Sequence, residues 1–149
     1  MIVQARERPG GLAFAEVSEL REWLDRGELT SIELTDYVLD RLTRYGDEYN
    51  AVACLSPDRA RASAATADRR RASGERGPLL GIPYGAKDIF LARGTETHAG
   101  SNATFSYPSG VDATVVRRLE RAGAPLAAKL ALRPAPGVER PSHRRPRGS

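Results

Sequence analysis

Cysteine, histidine and lysine are all scarce in this chain. A single cysteine, Cys54, excludes an internal disulfide, and with no cysteine or histidine cluster around it the residue reads as a small packed apolar side chain. The two histidines, His98 and His143, leave little material for a metal centre or a histidine-based triad, so neither metal nor cofactor is expected. No apolar run approaches the roughly 18 residues of a membrane span. The first residues, Met1 to Pro9, hold no apolar core of signal-peptide length, so the expected location is the cytoplasm, without membrane contact. Lysine is the scarcest charged residue: of 23 basic side chains only Lys87 and Lys129 are lysines, leaving 21 arginines.

What is present describes an ordinary globular chain with an unusual end. The 149 residues, 40% hydrophobic and 28% charged, suffice for one domain. The net charge of +4 is confined to residues 133–149, where five arginines face Glu139 alone; the remaining 18 basic and 18 acidic groups cancel. A nucleic-acid-binding domain would spread its positive charge over a folded face, so no nucleic-acid partner is expected. Four of the ten prolines fall in the same 17 residues. Such a segment buries too little to fold, and 133–149 reads as a disordered basic tail.

Along the chain, residues 1–12 read as a flexible N-terminus. Val17, Leu20, Trp23 and Leu24 predict a helix over 15–26 that Gly27 ends. Thr30 and Glu33 form a capping box for a second helix, with Leu34, Val38, Leu42 and Tyr45 as its stripe and Gly46 as its stop. Residues 50–55 suggest a short buried strand. Ser56-Pro57-Asp58 begins an alanine- and arginine-rich helix to about Ser73, with Ser56 as N-cap and Arg69-Arg70-Arg71 as a solvated end. Residues 91–110 have the makeup of a long loop. Asp112 predicts the N-cap of a helix carrying Val115, Val116, Leu119 and Ala122, and residues 124–130 a following strand. Strand, helix, strand predicts a right-handed crossover with parallel pairing.

The most apolar stretch, Leu79 to Phe90, contains Lys87. Arginine keeps its proton in a protein, whereas a desolvated lysine loses it and acts as a base. A strand lysine whose head snorkels to water, or pairs with a carboxylate, is the plainer reading of this residue. Asp88 is a poor partner for it, because neighbours on a strand point to opposite faces. Gly85 and Ala86 are small enough to admit a second backbone or a substrate beside Lys87.

Gly77-Pro78-Leu79-Leu80-Gly81-Ile82-Pro83-Tyr84-Gly85-Ala86-Lys87-Asp88, with Gly94 and Thr97-His98-Ala99-Gly100-Ser101 after it, resembles the opening of the amidase signature family. Those enzymes are serine amidohydrolases with a Ser–cis-Ser–Lys triad. Asp112 to Leu119 and Ala122-Gly123-Ala124 look like the family's second recognisable block. The resemblance runs from Leu29 to Leu132. It implies an α/β fold, the N-terminal part of the family's architecture: helices, then a parallel βαβ unit in an incomplete sheet, making 13–132 a partial amidase domain. It assigns Lys87 as the catalytic base, buried between Ile82, Tyr84, Ile89 and Phe90, acting on a small amide substrate.

Past Leu132 the resemblance implies a glycine- and serine-rich loop carrying both serines, and Arg133 to Ser149 has no such character. Ser142 and Ser149 lack the glycine-rich setting to replace them. A lost reading frame or a truncated gene product is the expected cause, which the nucleotide sequence beyond Leu132 checks. The expected protein is therefore a truncated amidase-type hydrolase, inactive alone, whose exposed strand edges favour self-association. The alternatives are a non-catalytic remnant or small interaction protein, and a Schiff-base enzyme centred on Lys87.

Overall fold

The computed structural model describes residues 11–100 and 110–132. The tail at 133–149 and most of the N-terminal stretch lie outside them. Residues 11 and 12 belong to a 3₁₀ turn, Gly11–Phe14, that buries Leu12, so the folded part begins before residue 13.

Helix α1 spans Val17–Arg26, and its first turn is closed by the Glu19 carboxylate, which accepts from the Glu16 N–H at 2.8 Å. Gly27 ends it in the left-handed conformation at φ 70°. Helix α2, Ser31–Tyr45, starts on the predicted capping box: Thr30 Oγ1 accepts the Glu33 N–H at 3.1 Å, and Glu33 returns the bond to Thr30 N–H at 2.9 Å. Two further free N–H groups at this helix start, on Ser31 and Ile32, donate to the Asp68 carboxylate of the next helix at 2.7 and 3.1 Å. The buried stripe of α2 is Leu34, Thr35 and Leu39, with Val38 and Leu42 half-buried. Tyr45, expected in the stripe, is exposed and lies under the Arg41 guanidinium at 5.3 Å.

Strand β1, Val52–Leu55, leads into α3, Pro57–Ala72, which meets the core through Ala60, Ala64 and Ala67. Ser56 precedes this helix without capping it; its hydroxyl makes no cap bond. Arg71 also departs from expectation. It is buried rather than solvated, because its guanidinium reaches the Asp25 carboxylate at 2.6 Å and the Leu80 carbonyl, joining α1 and α3 to the approach to the next strand.

Strand β2 is Tyr84–Lys87, α4 is Thr114–Arg121 and β3 is Leu126–Leu130. The sheet order is β1-β3-β2, with β3 antiparallel to β1 and parallel to β2, as the strand–helix–strand pattern predicts. Gly123, at φ 81°, turns the chain from α4 into β3, and its carbonyl accepts the Gly81 N–H at 2.8 Å. A side chain there would strike Leu80.

Helices cover the sheet from both sides. Ala127 packs with Leu39 of α2 and Ala60 of α3, while Leu126, Ala86 and half-buried Tyr84 pack with Val116 of α4. A third cluster joins Leu12, Trp23, Leu24, Leu29, Leu34 and Ile82. Each fully buried leucine there contributes about 1.5–3 kcal/mol. Val115, assigned to the buried stripe of α4, faces solvent. β3 is enclosed, whereas β2 is an edge. Tyr84 N–H donates to Pro125 and Asp88 N–H to Leu130, both at 2.9 Å, so alternation turns the N–H groups of Gly85 and Lys87 outward. Among the described residues, no helix is long and apolar enough to cross a membrane.

Candidate functional site: two lysines on opposite faces of the sheet

Lys87 closes β2. Its register partner on β3 is Leu130, whereas Lys129 stands opposite Ala86, one step earlier. Because successive strand residues alternate between faces, Lys87 and Leu130 share one face and Ala86, Asp88 and Lys129 the other.

The burial expected of Lys87 is not found. Its side chain is exposed, and Nζ donates to the Ala131 carbonyl at 3.0 Å. The cause is position: β2 is an edge strand, and of the four apolar flanks none roofs the amine. Ile82 is drawn into the helical core, Tyr84 packs on the α4 side, and Ile89 and Phe90 are 52% and 36% exposed. The space over Gly85 is filled by Leu130, whose side chain would meet an added Cβ at 2.9 Å. Burial pushes the Tyr84 hydroxyl up to about 12, and that hydroxyl makes no hydrogen bond within the described residues.

Lys129 is the lysine that is buried. It is 0% exposed and the largest of the side chains so enclosed. Its ammonium lies 2.9 Å from Asp88 Oδ1, off the alignment of a formal hydrogen bond, so that attraction is mainly coulombic. It also donates to Thr97 Oγ1 at 2.9 Å and to the Glu96 carbonyl at 3.3 Å. Asp88, buried as well, accepts the His98 N–H on Oδ2 at 3.1 Å. As the strand geometry requires, Asp88 turns away from Lys87. Lys129 escaped the sequence reading although the same signal marked it, a rare lysine inside an apolar strand.

A second ionic cluster lies at α4. Asp112, expected as an N-cap, is displaced from that role by Ala113 and is only 4% exposed. Both its oxygens are taken by Arg59, at 2.9 and 3.0 Å, and both by Arg93, through its N–H and its Nε at 2.7 Å each. Burial alone would raise this carboxyl; the hydrogen bonds from Arg59 and Arg93 outweigh it and hold the group down at about 2. Beside it is a cavity of about 420 Å³ lined by Arg93, Arg117, Glu120 and Arg121 among others, to which Lys87 does not contribute. Among the described residues, no group of three or more histidine, cysteine or acidic side chains is placed to hold a metal ion.

Comparison with known proteins supplies the remaining observation. The family model described as Amidase matches residues 33–134. A glutamyl-tRNA(Gln) amidotransferase subunit from Roseiflexus sp. (strain RS-1) is 45% identical over 114 residues, which are 76% of this chain and 23% of that protein. The native peptide amidase from Stenotrophomonas maltophilia superposes with a TM-score of 0.74 at 39% identity, covering 82% of this chain and 26% of that one. An amidase family protein from Bacillus anthracis str. Ames gives 0.71 at 29% identity, over 80% of this chain and 24% of its own. The chain thus spans about a quarter of the length of the relatives it matches.

Proposed function

This chain belongs to the amidase family, and from that premise we propose that it forms the lysine-bearing part of an amide-hydrolysing domain, with Lys87 as the proton acceptor. The observation that carries the reading is the family match over 33–134, which contains both Gly81-Ile82-Pro83-Tyr84-Gly85-Ala86-Lys87-Asp88 and the block that begins at Asp112.

In this reading a neutral Lys87 amine takes a proton from one serine hydroxyl, which takes one from a second. The second oxygen attacks the amide carbonyl, the C–N bond breaks, the amine leaves with a proton, and water releases the acid from the acyl ester. An amine gives up its own proton most readily when shielded from water. Lys87 is exposed in this chain, so the reading places the working state in an assembly that covers the β2 edge. The two serines have no counterpart assigned here, and the chain by itself is proposed to hydrolyse no amide.

Two experiments test this. The purified chain is expected neither to turn over simple amides nor to react with a fluorophosphonate serine probe; labelling of the 149-residue protein overturns its inactivity. In the second, residues 29–132 replace the matching quarter of the Stenotrophomonas peptide amidase. The chimera is expected to hydrolyse peptide amides, and Lys87→Ala to lower its kcat on the order of 10³-fold. A chimera indifferent to Lys87 sinks the assignment.

The unpaired edge of β2 favours a second reading, a non-catalytic interaction protein that pairs through it, self-association included wherever the Lys87 charge is offset. An inactive chimera together with concentration-dependent oligomers of the isolated chain would decide for it.

A further inference from the structure

We propose that Lys129 is a positioning residue for Lys87: it holds the Asp88 carboxylate on the far face of the sheet and, through it, pins the turn that follows β2. This rests on the reading of Lys87 as the proton acceptor.

Asp88 follows Lys87 directly, and its N–H continues the ladder to the Leu130 carbonyl at 2.9 Å. It is the carboxylate nearest to Lys87 along the chain, but strand alternation turns it to the opposite face, where Lys129 pairs with it. The Lys129 ammonium donates to Thr97 and to the Glu96 carbonyl and faces Asp88 as an ion pair at 2.9 Å. Asp88 in turn accepts the His98 N–H on its side chain and the Ala99 N–H, at 3.0 Å, on its carbonyl. Two strands and the turn over 96–99 thus converge on one ion pair. Ala99 sits at φ 50° within that turn, a conformation a side chain disfavours, which the bonds accepted by Asp88 help to hold.

Among the described residues, the charged and titratable groups around the pair are few. Glu96 and His98 on the turn pair with each other at 3.3 Å. Cys54 on β1 stands opposite Lys129 in register; burial pushes its thiol up, and the charge of Lys129 restrains that rise. Lys87 adjoins Asp88 along the chain, on the other face of the sheet. With Lys129 gone, Asp88 keeps its place beside Lys87 and loses its counter-ion. An unpaired carboxylate there favours the protonated amine and slows its reactions as a base or nucleophile.

The test uses the whole chain and needs no turnover. Acetic anhydride labelling followed by peptide mass spectrometry reports Lys87 cleanly, since the other lysine is enclosed. Lys129→Met is expected to slow Lys87 labelling about threefold at pH 8. The double variant Lys129→Met with Asp88→Asn is expected to restore the original rate, because the stray carboxylate is removed. A purely structural ion pair would leave all three rates alike, and that result, or a double variant that stays slow, overturns the proposal.

Thr97→Val keeps the question open to decision should Lys129→Met fail to fold. It is expected to speed amide exchange at His98 and Ala99 about tenfold and to slow Lys87 labelling by less; unchanged exchange and labelling reject the proposal. The two readings fail separately. A chimera indifferent to Lys87 removes the catalytic purpose and leaves the labelling result standing, whereas unchanged labelling beside a Lys87-dependent chimera removes only the role of Lys129.

Discussion

Lys87 and Lys129 lie on adjacent strands, one register step apart, in equally apolar sequence, yet one is exposed and the other enclosed. The difference comes from what covers each face. β3 runs between two neighbours, with α4 packed beside it and the Thr97 turn laid over its lysine, so burial of Lys129 is imposed from every side. β2 has one neighbour, and the face that carries Lys87 ends in solvent. A strand's composition therefore says that burial is available; the elements around it decide which residue receives it.

The largest effect should come from breaking the enclosed side. Lys129→Met leaves Asp88 as a buried, uncompensated charge, for which a cost of about 3–5 kcal/mol is expected in urea denaturation, most of it recovered when Asp88→Asn is added. A cost below about 1 kcal/mol would show that the buried pair is no more consequential than an exposed one.

Next is Asp112, the other buried carboxylate, held by two guanidiniums instead of one ammonium. Its folded value of about 2 lies below the ordinary 3.8, so its contribution is complete above pH 3.8 and is lost as pH falls towards 2. Asp112→Asn is expected to cost about 2 kcal/mol at neutral pH and to flatten the acid limb of stability across that window, followed by denaturation at stepped pH. An acid limb unchanged by the substitution would show that Arg59 and Arg93 contribute no net stabilisation there. The smallest effect belongs to Lys87→Ala, within about 0.5 kcal/mol by the same method, because the side chain is exposed. A larger loss would mean that the bond to the Ala131 carbonyl anchors the strand.

The parts that could be read from the chain are those settled within a few residues. Thr30 and Glu33 close the start of α2, Gly27 ends α1, and the run from Tyr84 through α4 to Leu130 yields a parallel pair. What escaped was set by distant partners. Asp112 became an ionic hub because Arg59, 53 residues earlier, reaches it across the fold. Arg71 is buried because Asp25 and Leu80 meet it there, and Lys129 because Asp88 and Thr97 do. The candidate site was legible as a motif around Lys87. Its geometry was not, since whether that strand is central or at an edge depends on pairing that local sequence does not encode.

The outward N–H of Lys87 lies on the open border of β2, and the charge of this exposed lysine, its ammonium held on the Ala131 carbonyl, discourages two copies from zipping together. That safeguard is one titratable charge, and it is chemically erasable. Cyanate in aged urea carbamylates free amines, so refolding from an old denaturant stock would neutralise the guard, and turbidity would then rise with the age of the urea rather than with protein concentration alone.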